Sequence, residues 1–98
     1  MMKKYYYVYI LASKRNGTLY IGVTSNLIKR VWQHRNKIVS GFTAEYDVFM
    51  LVYFEEYNNV EEAIAREKYL KGKKRDYKLN LIEEKNPQWR DLYQDIIK

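Results

Sequence analysis

Residues 5–23 read YYYVYILASKRNGTLYIGV, and this stretch decides the fold. Its first part, residues 5–12, is built of β-branched and aromatic residues and reads as a strand. Alternation puts Tyr5, Tyr7, Tyr9 and Leu11 on one face and Tyr6, Val8, Ile10 and Ala12 on the other. Both faces are largely apolar, so the spacing predicts a strand covered on both sides. Asn16-Gly17 is a turn signal, because both residue types tolerate positive φ. A second strand, Thr18 to Val23, follows, and the two form an antiparallel hairpin.

Working outward, Thr24, Ser25 and Asn26 are all good N-cap residues, and one of them starts a helix that runs to about Lys37. Its apolar stripe is Leu27, Val31 and Ile38, flanked by Ile28 and Trp32. Gly41 breaks the pattern. Residues 46–57 (YDVFMLVYFEEY) read as a third strand. Asn58 or Asn59 then caps a second helix, with Glu61 and Glu62 suiting the positive end of its dipole. It runs to about Lys71 and stops near Gly72. A third helical stretch spans Arg75 to about Lys85 and ends before Pro87, and the tail has helical spacing at Trp89, Leu92, Tyr93 and Ile96. The order β-β-α-β-α-α predicts an α+β fold, a small three-stranded antiparallel sheet flanked by helices, as one domain over residues 1–98.

The charge balance points to a partner. Lys and Arg number 18 against 12 Asp and Glu, a net charge of +6, with a pI near 9.4. Such a domain attracts polyanions, nucleic acid first among them, although a basic protein with no such partner has the same balance. Apolar residues at 47% exclude a disordered tail, and the absence of cysteine excludes disulfides and thiolate metal sites. The opening MMKKYYYVYILASKRNG has lysines ahead of apolar residues, as a signal peptide does, but it alternates like a strand and meets Lys14 and Arg15 too early. No window has the length of a membrane span, so the expected location is the cytoplasm, with no membrane partner.

Three groups of residues are hard to explain as core. Glu67 falls on the stripe Val60, Ala63, Ile64, Leu70 of the second helix, where a carboxylate is costly unless it is paired or binds a metal. The plain alternatives are a salt bridge or a glutamate at the edge of the stripe. Arg30 and His34, four apart, share one helix face bordering the core. Arginine can fork onto a phosphate and histidine can move protons near neutral pH, but a solvated helix flank would look the same. Tyr9 and Tyr20 lie nearly opposite one another if the turn centres near Lys14 and Arg15. Gly22 would leave that face open to a ligand; otherwise the tyrosines are aromatic packing.

The spaced residues resemble a known family. Tyr7-Val8-Tyr9 followed by Tyr20-Ile21-Gly22 resembles the paired motif of the GIY-YIG nucleases. The likeness continues through Asn26-Leu27, Arg30, His34, Glu62-Ala63, Arg66-Glu67, Leu70-Lys71-Gly72 and Asn86-Pro87-Gln88-Trp89, nearly the whole chain. It is similar to the short, single-domain bacterial members. The resemblance implies that Tyr9 and Tyr20 are the tyrosines of the two triplets, Arg30 the catalytic arginine, His34 the histidine four residues after it, Glu67 the metal-binding glutamate and Asn86 a late asparagine that supports the site. Three departures stand out. Tyr7 replaces the first glycine, Val23 replaces the lysine of repair-type members, and no second histidine follows the first helix.

What this implies is a metal-dependent endonuclease that hydrolyses phosphodiester bonds in nucleic acid, DNA ahead of RNA, with little sequence specificity. One divalent ion, Mg²⁺ or Mn²⁺, would sit on Glu67, a ligand set that suits hard cations and no structural zinc. Arg30 would clamp the phosphate, and either Tyr9 or His34 would take the proton of the attacking water. Lys29, Arg35, Lys37, Lys71, Lys73 and Lys74 are the expected phosphate contacts. The alternatives are a module on the same fold that binds nucleic acid without cutting it, and a basic protein-interaction domain.

Overall fold

The structure is a computed structural model that describes residues 4–98; the first three residues of the signal-like opening lie outside it. The hairpin forms from β1 (Tyr6–Ala12) and β2 (Leu19–Thr24), and β3 (Met50–Tyr57) pairs with β1 on its other side. The sheet is antiparallel in the order β2-β1-β3, so the most apolar strand lies in the middle, as its two-faced composition requires. In the turn, Asn16 alone takes the left-handed conformation, at φ 56°, while Gly17 closes onto Ser13 and Lys14 so tightly that a Cβ would fall 2.4 Å from Ser13 Oγ. The glycine is needed there for space rather than for its backbone angle.

Each face of the sheet carries its own apolar layer. Tyr9 and Leu11 pack with Leu27 and Val31 of α1 (Leu27–Arg35), together with Val48 and Leu51. On the other face, Val8, Ile10, Ala12 and Ile21 pack with Ala63 and Leu70 of the longest helix and with Ile82 and Trp89. Asn26 is the cap of α1, its side chain accepting from Lys29 N at 3.1 Å.

Four expectations change. The third strand begins at Met50, because residues 42–45 form a short helix, α2 (Phe42–Glu45), and Asp47 turns the chain at φ 54°. On α1, Ile28 and Trp32 are exposed, as is Ile38 beyond its end, and the buried third place of the stripe is taken by His34, 1% accessible. Beyond β3, α3 (Val60–Lys71) is capped by Asn59 and buries Ala63 and Leu70, but leaves Val60 and Ile64 exposed. Next come α4 (Arg75–Lys85), as expected, and a tail in which only α5 (Tyr93–Ile96) is helical. Trp89 itself sits at φ 55°, and Leu92 N donates to Leu51 O at 2.7 Å, so the tail docks on β3 instead of continuing as a helix.

Arg66 sets the rotation of α3. Its Nε and Nη2 donate to the two oxygens of Glu55 on β3 at 3.0 and 2.9 Å, and Tyr53 and Tyr57 donate to the same carboxylate. The pairing holds α3 across the sheet, with the next residue, Glu67, about 100° further round the helix.

Candidate active site

Tyr9 and Tyr20 share a sheet face but are not opposite one another: Tyr9 pairs with Gly22, and Tyr20 with Leu11. The missing side chain at Gly22 is filled by Tyr9 itself. A Cβ there would lie 2.4 Å from the Tyr9 hydroxyl and 2.5 Å from Cζ. The phenol thus lies over Gly22 of β2, an edge strand, with its oxygen buried against His34. The Tyr9 and Tyr20 ring centroids are 6.4 Å apart.

His34 stands beside Tyr9. Its Nε2 is 3.1 Å from the Tyr9 hydroxyl and its Nδ1 is 2.9 Å from Thr43 Oγ1. Both contacts suit the tautomer in which Nδ1–H donates to Thr43 and Nε2 accepts from the phenol. Its ring also packs against Tyr20, with centroids 5.4 Å apart. Burial, and secondarily the charge of Arg30, hold the imidazole below its ordinary value of 6.5. The solvated-flank reading of His34 is therefore excluded by geometry. Thr43 was not singled out in the sequence: it lies on α2, four residues long and too short to register as a period.

Four influences act on the Tyr9 phenol. Burial raises it well above the ordinary tyrosine range, and Tyr20 and Glu67 push the same way. Arg30, close enough to act through charge and hydrogen bonding, opposes them. Arg30 comes from α1 on one face of the sheet, and Glu67 from α3, packed on the other. The edge strand β2 brings the two layers to one phenol.

The remaining candidates have other partners. Glu67 is 14% exposed and is paired with Lys71 Nζ at 2.9 Å. Asn86 is buried at the opposite edge of the sheet, where Nδ2 donates to Val52 O and Arg90 O at 3.1 and 2.9 Å and Oδ1 accepts from Arg90 N. Its amide is spent on holding the tail to β3, and the structure does not bring it to Tyr9. Arg35 bonds Asp91 and lies over the Tyr93 ring at 4.6 Å, which ties its fork to the fold and takes it out of the set of free cations. Lys37 pairs with Asp47 at 2.7 Å on the surface. Lys73 lies 5.0 Å from the rings of both Tyr69 and Tyr77, and Lys74 precedes α4. Lys29 lines a hollow with Arg30, Asn26, Thr24 and Gln33.

The pattern described as the GIY-YIG catalytic domain matches residues 5–80, well over half of the chain. The chain belongs to the GIY-YIG family. A UPF0213 protein of Clostridium perfringens is 44% identical to it over 80 residues, 82% of this chain and 85% of that one. A UPF0213 protein of Haloquadratum walsbyi is 32% identical, covering 85% and 92%. The solution NMR structure of a UPF0213 protein from Bacillus halodurans superimposes with a TM-score of 0.56 at 28% identity, covering 89% of this chain and 92% of that one. The α+β fold and the short form of the GIY-YIG domain are thereby shown. No helix of the described residues is long and apolar enough to cross a membrane.

The GIY-YIG domain is a nuclease domain, and its nucleases use a divalent metal. Among the described residues no group of three or more His, Asp or Glu side chains converges as a metal cage. A lone, mostly buried Glu67 still fits a hard cation that keeps most of its waters and completes its shell with substrate oxygens. Lys71, with half its side chain exposed, can leave that carboxylate without disturbing the core.

Proposed function

We propose that this GIY-YIG protein is a metal-dependent endonuclease that hydrolyses phosphodiester bonds in nucleic acid, DNA in preference to RNA, with little sequence specificity. The observation that carries the reading is the Tyr9 hydroxyl, 3.1 Å from His34 Nε2 and under the opposed influences of Arg30 and Glu67. One hydroxyl over an edge strand, held by a base and within the electrostatic reach of a cation and a carboxylate, is equipment suited to in-line phosphoryl hydrolysis.

Arg30 grips the scissile phosphate. The attacking water gives its proton to the Tyr9 oxygen as the phenol passes its own to His34 Nε2, and Thr43 holds the imidazole in the tautomer that can accept it. Alone, Tyr9 is a poor base, because burial makes its phenolate costly. Alone, His34 is buried, and Arg30 disfavours its charged form. A phosphate bound to Arg30 cancels that repulsion, so substrate binding itself makes the pair more basic. Glu67 would hold one Mg²⁺ or Mn²⁺, which supplies charge stabilisation to the leaving oxygen. Lys29, Lys37, Lys71, Lys73 and Lys74 contact backbone phosphates, which position the strand without reading its sequence.

The test uses labelled single-stranded, duplex and branched DNA, and RNA, each in Mg²⁺, Mn²⁺ or EDTA, with Glu67→Gln alongside. The expected result is metal-dependent cutting that Glu67→Gln abolishes while binding persists. Binding without cutting on every substrate overturns it in favour of a non-catalytic module. That second reading has one observation behind it: Val23 packs into the apolar layer where repair-type members carry a lysine.

A further inference from the structure

The aromatic surface of the site does not stop at Tyr20. The ring of Phe42 lies alongside Tyr20, centroids 6.5 Å apart and planes within 27° of parallel, and Tyr46 follows at 5.0 Å from Phe42. Tyr9, Tyr20, Phe42 and Tyr46 thus form one run of rings leading out of the candidate active site. Its inner end is buried and its outer end is not: Tyr9 is 1% accessible, Phe42 46% and Tyr46 53%. Two large aromatic side chains exposed side by side are costly in water unless something covers them.

The backbone is arranged to present them. Gly41, at φ 100° with open space around its Cα, starts α2. From that one short helix Thr43 turns inward to His34 while Phe42 turns outward to Tyr20. Asp47, next to Tyr46, carries the ammonium of Lys37 at 2.7 Å, an exposed pair weak enough to release the lysine to a stronger anion. Flat rings with a cation at their far end match one ligand chemistry, a nucleobase joined to its phosphate.

We infer that Phe42 and Tyr46 form a stacking shelf for unpaired nucleobases next to the scissile phosphate, which makes single-stranded nucleic acid, or the unpaired arm of a branched one, the preferred substrate. This rests on the nuclease reading of Tyr9 and Arg30. In an uninterrupted duplex both faces of each base are covered by neighbours, so a ring on a protein surface has nothing to stack on. In a single strand or a frayed junction the face is free. Every base has such a face, so the shelf adds affinity without sequence preference.

Binding is measured by fluorescence anisotropy on Glu67→Gln protein in EDTA, so that no cutting intervenes. The probes are an oligothymidylate carrying one 2-aminopurine and a blunt hairpin duplex carrying the same base. The expected result is tighter binding to the single strand, with stacking-type quenching of 2-aminopurine there alone. Phe42→Ala and Tyr46→Ala each weaken the single strand about tenfold, in line with stacking on one ring, and leave the duplex unchanged. Phe42→Trp keeps the affinity. Because Tyr46 is half exposed, its substitution keeps the test valid if Phe42→Ala fails to fold. Equal losses on both probes, or no loss on the single strand, overturn the shelf. Cleavage by Glu67-intact protein together with shelf variants that change nothing refutes the shelf and leaves the nuclease. Shelf-dependent binding with no cleavage under any metal refutes the nuclease and leaves the shelf.

Discussion

Replacing Gly22 with alanine tests the architecture of the site most directly. Gly22 lies on an ordinary strand, and its φ is not positive, so backbone strain is not what requires glycine there. On propensity alone the change gains about 0.5–1 kcal/mol. Contact works the other way. The new Cβ meets the Tyr9 hydroxyl at 2.4 Å, Cζ at 2.5 Å and Cε2 at 2.9 Å, all shorter than non-bonded contact allows. The ring can step aside only at a cost, because Tyr9 is 1% accessible, packed against the Leu27 and Val31 layer and bonded to His34. Overpacking of a fixed group costs about 1–3 kcal/mol, and loss of the Tyr9–His34 bond adds about 1 kcal/mol. Set against the propensity gain, the net is about 2 kcal/mol, or a fall of ~8–16 °C in melting temperature for a domain of this size. Thermal unfolding by circular dichroism reads this without any substrate. Activity falls further, on the order of 10²-fold, since the phenol is displaced by about 1 Å. In a double-mutant cycle with Tyr9→Leu, which empties the space, part of the cost returns as a coupling of about 1–2 kcal/mol. An unchanged melting temperature for Gly22→Ala, or strictly additive costs, refutes the claim that Tyr9 lies across Gly22.

Two further outcomes follow from single side chains. His34 is held below its ordinary imidazole value when folded, so between that value and the folded one the unfolded chain binds the extra proton. Stability is therefore complete above about pH 6.5 and falls as pH drops through this window; urea unfolding from pH 5 to 7.5 shows the slope, and His34→Gln, neutral throughout, should flatten it. A slope that His34→Gln leaves intact would assign it to other groups. Asn86→Ala orphans Val52 O and both backbone partners at Arg90, at a cost of about 1–3 kcal/mol; the melting temperature drops while the pH profile of any cleavage keeps its shape, and a changed profile would place Asn86 in the chemistry.

The GIY-YIG domain was legible in the chain because its parts are local. A strand apolar on both faces, a turn signal, helix caps at Asn26 and Asn59 and an unusual glutamate on a helix stripe each announce themselves within a few residues. Glu67 stood out as a carboxylate on an apolar stripe, while the tyrosines, Arg30 and His34 could be named only because their spacing along the chain resembles the family's motifs. Thr43 and Phe42 could not, since a four-residue helix carries less than two turns of periodicity and Asp47 hides the end of the strand it precedes. Nor could the fate of the cations be read, because Arg35 and Asp91 are far apart in the chain and meet only when the tail docks.

The sequence by itself determined the α+β fold and the family and offered the candidate site residues, since periodicity, caps, turn residues and motif spacing can all be read along the chain. Tertiary structure decided which of those groups meet. It turned His34 from a helix flank into the buried partner of Tyr9, laid that phenol over Gly22 of β2 where α1 and α3 both reach it, and sent Asn86 to the opposite edge. Such meetings depend on strand register and on how helices seat across a sheet, and both are fixed by the packing of the whole core rather than by any stretch of chain.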